Sequence, residues 1–331
     1  MEIGLALPQY DFFAPEPGPP GPLPWAPVEA TARQAEALGF HSLWLSDHLF
    51  LDPSRYDGPR GRCPGLDPLP ALGALARITH RIRLGTLTLC VPLRPATIAA
   101  KQLATVDVLS DGRLTVGLGA GWNAEEFRLA GVPFRRPRER LRHLEEAILV
   151  TRGMFGGGPF TFDGRYEQAV EAMCLPRPVQ QPAPPIWVGG RGDRLLDLVA
   201  RVADGWNTAW IWTPDAYRER LDVLHAACDR AGRDPSTVTL SLGQYSLVGE
   251  DAADLARRFE ALKATTPGGL KGASLEDWRR GRLVGTVDEV RDQLDGWAAL
   301  GVSTLVVSPR PMPFSVPRPD DLEILAHACR L

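Results

Sequence analysis

Residues 109–122 read LSDGRLTVGLGAGW. Ser110-Asp111-Gly112 is a turn, and Leu114 to Leu118 is a short apolar strand. The strand runs directly into Gly119-Ala120-Gly121, after which Asn123-Ala124-Glu125-Glu126 opens a helix. Glycines at the carboxyl end of a strand let backbone N–H groups approach a flat or anionic ligand, because no Cβ stands in the way. The same glycine spacing also occurs in plain turns, so its meaning depends on what flanks it.

Working outward, the unit of strand, loop and helix repeats. Upstream lie an opening strand, Glu2 to Leu7, and a helix from about Pro27 to Leu38 ended by Gly39. The strand Ser42 to Leu45, a helix over about 68–79, the strand Ile82 to Leu89 and a helix over 95–108 follow. Downstream come a long helix, Arg136 to Phe155, and an excursion over 159–183 in which FTFDGRYEQ reads as a hairpin around Asp163-Gly164. The pattern then resumes with strand Ile186 to Val188, a helix to Ala203, strand Asp204 to Thr208 and helix 214–231. Strand 237–247, helix 251–264, a loop to Gly285, helix 286–300 and strand Ser303 to Val307 complete it. Eight strands, each followed by helix, predict an α/β fold: a closed (β/α)8 TIM barrel with insertions in its loops, forming one domain over residues 1–331.

The 331 residues and 44 % hydrophobic content suit a large core. A net charge of −3 gives no case for nucleic acid as the main partner, and FRRPRER at the start of the long helix reads as a solvated helix face. No signal segment or membrane-length apolar run is read at Met1 or elsewhere, and the five scattered cysteines lack disulfide or zinc spacing. A cytoplasmic protein with reduced thiols is expected. The Pro/Gly-rich residues 14–27, APEPGPPGPLPWAP, form either a low-complexity loop or a lid with Trp25 as a wall.

In a barrel of this kind the loops after strands face the active-site end. Gln9-Tyr10, Ser46-Asp47-His48, Gly119-Ala120-Gly121-Trp122, Gly189-Gly190-Arg191, Trp206-Asn207 and Gln244 all fall there. His48 is the acid/base candidate, since imidazole titrates near neutral pH, and Asp47 could orient it or bind ligand. His41 and His80 precede strands at the opposite end and read as structural. Gly189-Gly190-Arg191-Gly192, with Asp193 as a cap, is either a phosphate nest or a tight turn. No metal set, nucleophile elbow or dinucleotide fingerprint is read.

At these residues the chain resembles the bacterial luciferase-like flavin and deazaflavin oxidoreductases. The matching pieces are Leu7-Pro8, the SDH at Ser46 to His48, LGT at Leu84 to Thr86, and SDGRLTVGLGAGW with Glu125-Glu126-Phe127. PPIWVGG at Pro184 to Gly190, ADGWN at Ala203 to Asn207 and VGTVDEV at Val284 to Val290 extend the match along nearly the whole chain. The resemblance implies a barrel holding an isoalloxazine-like ring at the carboxyl ends of its strands. It implies a bulge with a non-proline cis peptide at Leu87-Thr88 behind the ring, Ala120-Gly121 near the ring or its side chain, Gly189-Gly190 at the phosphate, and His48 as the active-site histidine. The overall pattern is more like members using coenzyme F420 (8-hydroxy-5-deazaflavin), which passes a hydride to or from a small organic substrate. The alternatives are a flavin mononucleotide (FMN) monooxygenase and a non-catalytic flavin-binding barrel. The resemblance also implies a homodimer by family habit. Deazaflavin-dependent sugar-phosphate dehydrogenases carry a glutamate directly after the Gly-x-Gly turn, where this chain has Trp122, which argues against sugar-phosphate oxidation. Trp25, Trp122, Trp206 and Trp210 are expected to wall an apolar substrate pocket.

Overall fold

A computed structural model describes residues 1–10, 23–56, 60–266, 268–310, 314–315 and 318–331. Most of the 14–27 loop therefore lies outside the described residues. Eight parallel strands form the barrel: β1 (Glu2–Ala6), β2 (Ser42–Leu45), β3 (Arg83–Thr86), β4 (Leu114–Gly119), β5 (Ile186–Gly189), β6 (Gly205–Trp210), β7 (Thr239–Gly249) and β8 (Thr304–Ser308). Each pairs with the next in sequence, and the pairing Glu2↔Thr304 between β1 and β8 closes the circle. Strands buried on both faces need near-continuous apolar sequence, which is why SLWL and IWV show no polar alternation.

Two places depart from the sequence expectation. The strand expected over Ile82 to Leu89 is split: β3 stops at Thr86, the Leu87–Thr88 peptide is cis, and Leu89–Cys90 pairs again with Leu118 and Gly119. Thr86 bridges the break, because its Oγ1 donates to the Gly117 carbonyl at 2.7 Å and accepts the Gly117 N–H at 2.9 Å. A side chain thus replaces the backbone ladder where the strand bulges. The cis bond sits where the family resemblance implies it. The second departure is an extra strand, Leu283–Thr286, in the stretch expected to be loop. At 11 residues β7 runs on past the barrel, and Ser246 to Gly249 pair with Leu283 to Thr286. The run LVGT is too short to announce itself, and an open strand edge supplies its partner.

The barrel interior is filled by two tryptophans. Trp44 and Trp187 stack with ring centroids 5.1 Å apart, fully surrounded by protein. Their cross-strand neighbours are glycines and one alanine: Trp44 registers with Gly85 and Ala6, and Trp187 with both Gly117 and Gly205. A Cβ on Gly85 would lie 2.5 Å from the Trp44 ring, and one on Gly205 would lie 2.5 Å from the Trp187 ring. Two indoles fit inside eight strands because the adjacent positions carry no side chain or only a methyl group. Gly85→Ala is therefore expected to destabilise the fold by about 1–3 kcal/mol through overpacking. Urea unfolding checks this, and a variant as stable as the parent would show that the interior has slack.

Candidate active site

The carboxyl end of β2 is tied down before any chemistry is considered. Gln9 Nε2 donates to the carbonyls of Ser46 and Leu66, each at 2.6 Å, while Gln9 Oε1 accepts the Ser46 N–H at 2.8 Å. The Tyr10 hydroxyl meets Ser46 Oγ at 2.8 Å. Asp47 is committed in the same way: it accepts the Cys90 N–H at 2.7 Å and forms a two-point pair with Arg94. Burial alone would lower the Arg94 pKa, but the hydrogen bond and charge of Asp47 outweigh it and raise it. Asp47 therefore joins the SDH loop to the Leu89–Cys90 segment and does not orient His48.

Glu126 orients it. Its Oε2 lies 2.9 Å from His48 Nδ1, and its Oε1 accepts the Leu49 N–H at 2.7 Å. An ionised carboxylate only accepts, so this contact assigns the hydrogen to Nδ1. Nε2 is left without a protein partner among the described residues. Trp122 stands edge-on to the imidazole, with centroids 5.4 Å apart. Glu126 is buried although it sits one turn into the helix Ala124–Leu129. Its role was hidden in the sequence because the pair joins residues 78 apart, with only the acidic first turn of that helix as a signal.

His48 and Glu126 line a cavity of ≈ 280 Å³ together with Asp47, Cys90, Gly121 and Phe314. A second cavity of ≈ 710 Å³ continues from it, lined by Gly189, Gly190, Arg191, Asn207 and Tyr245. Leu87, Thr88, Trp122, Ala209 and Trp210 line both, so the two form one cleft across the top of the barrel. Trp210 stacks on Tyr245 at 5.5 Å, and the Ala209–Trp210 peptide is cis. Cys90 faces the cleft, but burial first, and then the charges of Asp47 and Glu126, push its thiol far up. It stays protonated and is no nucleophile.

At the other end of the cleft, Gly190 has φ 140° and a Cβ there would meet Leu195 at 2.6 Å. Its N–H already donates to the Asn207 carbonyl at 3.0 Å. The open donors therefore lie just beyond it, at the start of the helix Asp193–Val202, where the amides ahead of Leu195, whose own N–H donates to the Gly192 carbonyl at 2.8 Å, lack intrahelical acceptors. Gly192 is the cap residue; Asp193, expected to cap, instead pairs with Arg220 at 2.7 Å. Arg191 is exposed, with no acidic partner among the described residues. Free amides beside an unpaired guanidinium fit a phosphate.

Two of the expected pocket walls stand elsewhere. Trp206 alternates outward on β6, stacks on Tyr217 at 5.2 Å and donates to the Gly190 carbonyl at 2.7 Å. Trp25 sits at the start of the helix Ala26–Leu38, donates to Glu29 at 3.0 Å and packs against the outer core. Leu87, Thr88, Gly121, Trp122, Gly189, Gly190, Arg191, Trp210, Asp47 and His48 converge on the cleft. Ala120 packs against the core beside Gly121. Among the described residues, no group of three or more His, Cys, Asp or Glu side chains could hold a metal, and no helix is long and apolar enough to cross a membrane.

A family model described as luciferase-like monooxygenase matches residues 1–304. An F420-dependent glucose-6-phosphate dehydrogenase from Microbacterium testaceum is 36 % identical over 202 residues, 60 % of this chain and 57 % of that relative. The match thus spans little more than half of the relative's length. An F420-dependent secondary alcohol dehydrogenase in complex with an F420-acetone adduct superposes with TM-score 0.77 at 19 % identity, covering 99 % of this chain and 97 % of that one. Monooxygenase RslO1 from Streptomyces bottropensis gives TM-score 0.77 at 23 % identity, with 99 % and 98 % covered. At these identities the structures show the shared fold.

Asp47→Ala leaves Arg94 facing a partly buried vacancy with only the exposed Asp67 carboxylate, 3.2 Å away, for compensation. We expect a loss of about 3 kcal/mol. Thermal or denaturant unfolding reads it, and a loss below about 1 kcal/mol would mean that Asp67 takes over the pair.

Proposed function

The chain belongs to the luciferase-like monooxygenase family, and on that premise we propose that it is an oxidoreductase using coenzyme F420 for hydride transfer to or from a small apolar organic substrate. The observation that carries the reading is the cleft itself. It offers an acid/base pair, His48–Glu126, at one end and an unpaired anion site at Arg191 at the other, with Leu87–Thr88 between them. That order suits a ring with a phosphorylated side arm. The F420-dependent relative from Microbacterium supports F420 over FMN, whereas the oxygen-inserting alternative draws on the family model and on likeness of fold. Family habit adds a homodimer to the proposal, and the scattered, unpaired cysteines a cytoplasmic setting.

When bound, the deazaflavin supplies a hydride donor or acceptor at its carbon 5. The chain's own residues do the rest. Arg191 and the amides at the start of the Asp193–Val202 helix bind the phosphate. Leu87–Thr88 back the ring, and Trp122, Trp210 and Tyr245 exclude water and favour an apolar substrate over a phosphorylated sugar. Glu126 holds His48 by Nδ1 so that Nε2 exchanges a proton with the substrate oxygen as hydride moves. Trp122, half exposed at the rim, stands where the sugar-phosphate enzymes carry their glutamate.

Loss of oxidised F420 absorbance across a panel of primary and secondary alcohols tests the reading. His48→Gln is expected to bind coenzyme as the parent does while losing about 10²–10⁴-fold in kcat. Glu126→Gln, which keeps a hydrogen bond but no charge, should lower kcat less and leave coenzyme affinity unchanged. Near-normal turnover in His48→Gln would reduce the residue to a ring contact, and an inert panel with oxygen consumed in the presence of FMN would favour the monooxygenase.

A further inference from the structure

The FRRPRER segment opens a second concavity that the reaction does not use. A groove of ≈ 460 Å³ runs between the helix Pro137–Phe155, the helix Asp193–Val202 and the turn that carries Arg165 and Tyr166 in the antiparallel hairpin Phe160–Asp163/Gln168–Ala172. Four exposed arginines line it, Arg138, Arg142, Arg165 and Arg194, and none has an acidic partner among the described residues. A fifth, Arg201, is neutralised by Glu145 and Asp197, which lie at the groove with it. Glu139 is the remaining acid, and its Oε2 is engaged by the Arg136 N–H at 3.2 Å. Unpaired like charges in one concave surface repel one another, so an anion bound there is stabilised by all four at once.

The hairpin wall is held in place. Glu146 accepts the N–H groups of Tyr166 and Glu167 at 2.7 and 3.0 Å, Glu167 binds His143 Nε2 at 2.7 Å, and Tyr166 stacks on that imidazole at 5.4 Å. The arginines are thus presented on a fixed frame. The groove also adjoins the phosphate end of the cleft: Arg194 lines the groove and Arg191 lines the cleft. Three residues of chain span at most about 11 Å.

We infer that this groove binds the carboxylates of an anionic chain continuing from the phosphate held at Arg191. Resting on the F420 reading above, the ligand is the coenzyme's own tail, which past its phosphate carries a lactyl-oligoglutamate chain with a carboxylate on each residue. The groove makes a tailed coenzyme bind more tightly than a tail-less one and leaves the chemistry at His48 untouched.

The test is equilibrium titration of the full chain, by coenzyme fluorescence, with two probes. One is F420 bearing several glutamates; the other is the phospholactyl form with none. At about 50 mM salt the parent should bind the tailed form at least about fivefold more tightly, and the difference should shrink at about 500 mM as exposed charges are screened. Arg142→Glu with Arg165→Glu, two exposed side chains without ion pairs, should abolish the difference and leave affinity for the tail-less form unchanged. Unchanged thermal unfolding serves as the folding control. Equal affinity of the parent for both probes, or equal weakening of both by the double variant, overturns the inference and spares the F420 reading. A parent that binds neither probe overturns the reading itself.

Discussion

Two stacked indoles inside a ring of eight strands set the terms for everything above them. Trp44 and Trp187 fill the barrel at the level of Gly85, Gly117 and Gly205, so the interior is solid and the ligand space lies on its upper surface. A packed interior also fixes how the strands end. β3 bulges at Leu87–Thr88 directly above this layer, and the bulge becomes the floor shared by both lobes of the cleft.

On that floor the loops are positioned by buried polar groups, each with its partners supplied. Gln9 satisfies the turn after β2, Asp47 joins it to Arg94 and the Cys90 amide, and Glu126 reaches back to both the His48 ring and the Leu49 amide. Buried carboxylates are costly unless paired, and each of these has at least two donors. The same bonds that make burial tolerable leave His48 Nε2 as the ring nitrogen without a protein partner among the described residues. Preorganisation of the acid/base group is thus a by-product of how the loops are held.

Much of this was legible in the sequence, for identifiable reasons. All eight barrel strands were found, and the apolar runs followed by glycine or SDH, at β2, β4 and β5, are the strongest local signals among them. Leu283–Thr286 was missed because its partner, the overhanging end of β7, is a tertiary fact. His48 and the Gly189–Arg191 turn were found by their place after a strand, but the role given to Asp47 belongs to Glu126, 78 residues from His48. The four tryptophans divide: Trp122 and Trp210 face the cleft, whereas Trp206 points outward although it shares a strand and an alternation parity with Trp210, and Trp25 begins a helix. Aromatic type was readable, and side-chain direction at strand ends was not.

The central claim is that this cleft is built for a deazaflavin with its phosphate at the start of the Asp193–Val202 helix. Side-by-side titration of the apoprotein with F420 and with FMN tests it most directly. F420 should bind at least about tenfold more tightly, a difference of roughly 1.4 kcal/mol, and Arg191→Ala should weaken it. Tighter binding of FMN, or F420 affinity indifferent to Arg191, would contradict the account.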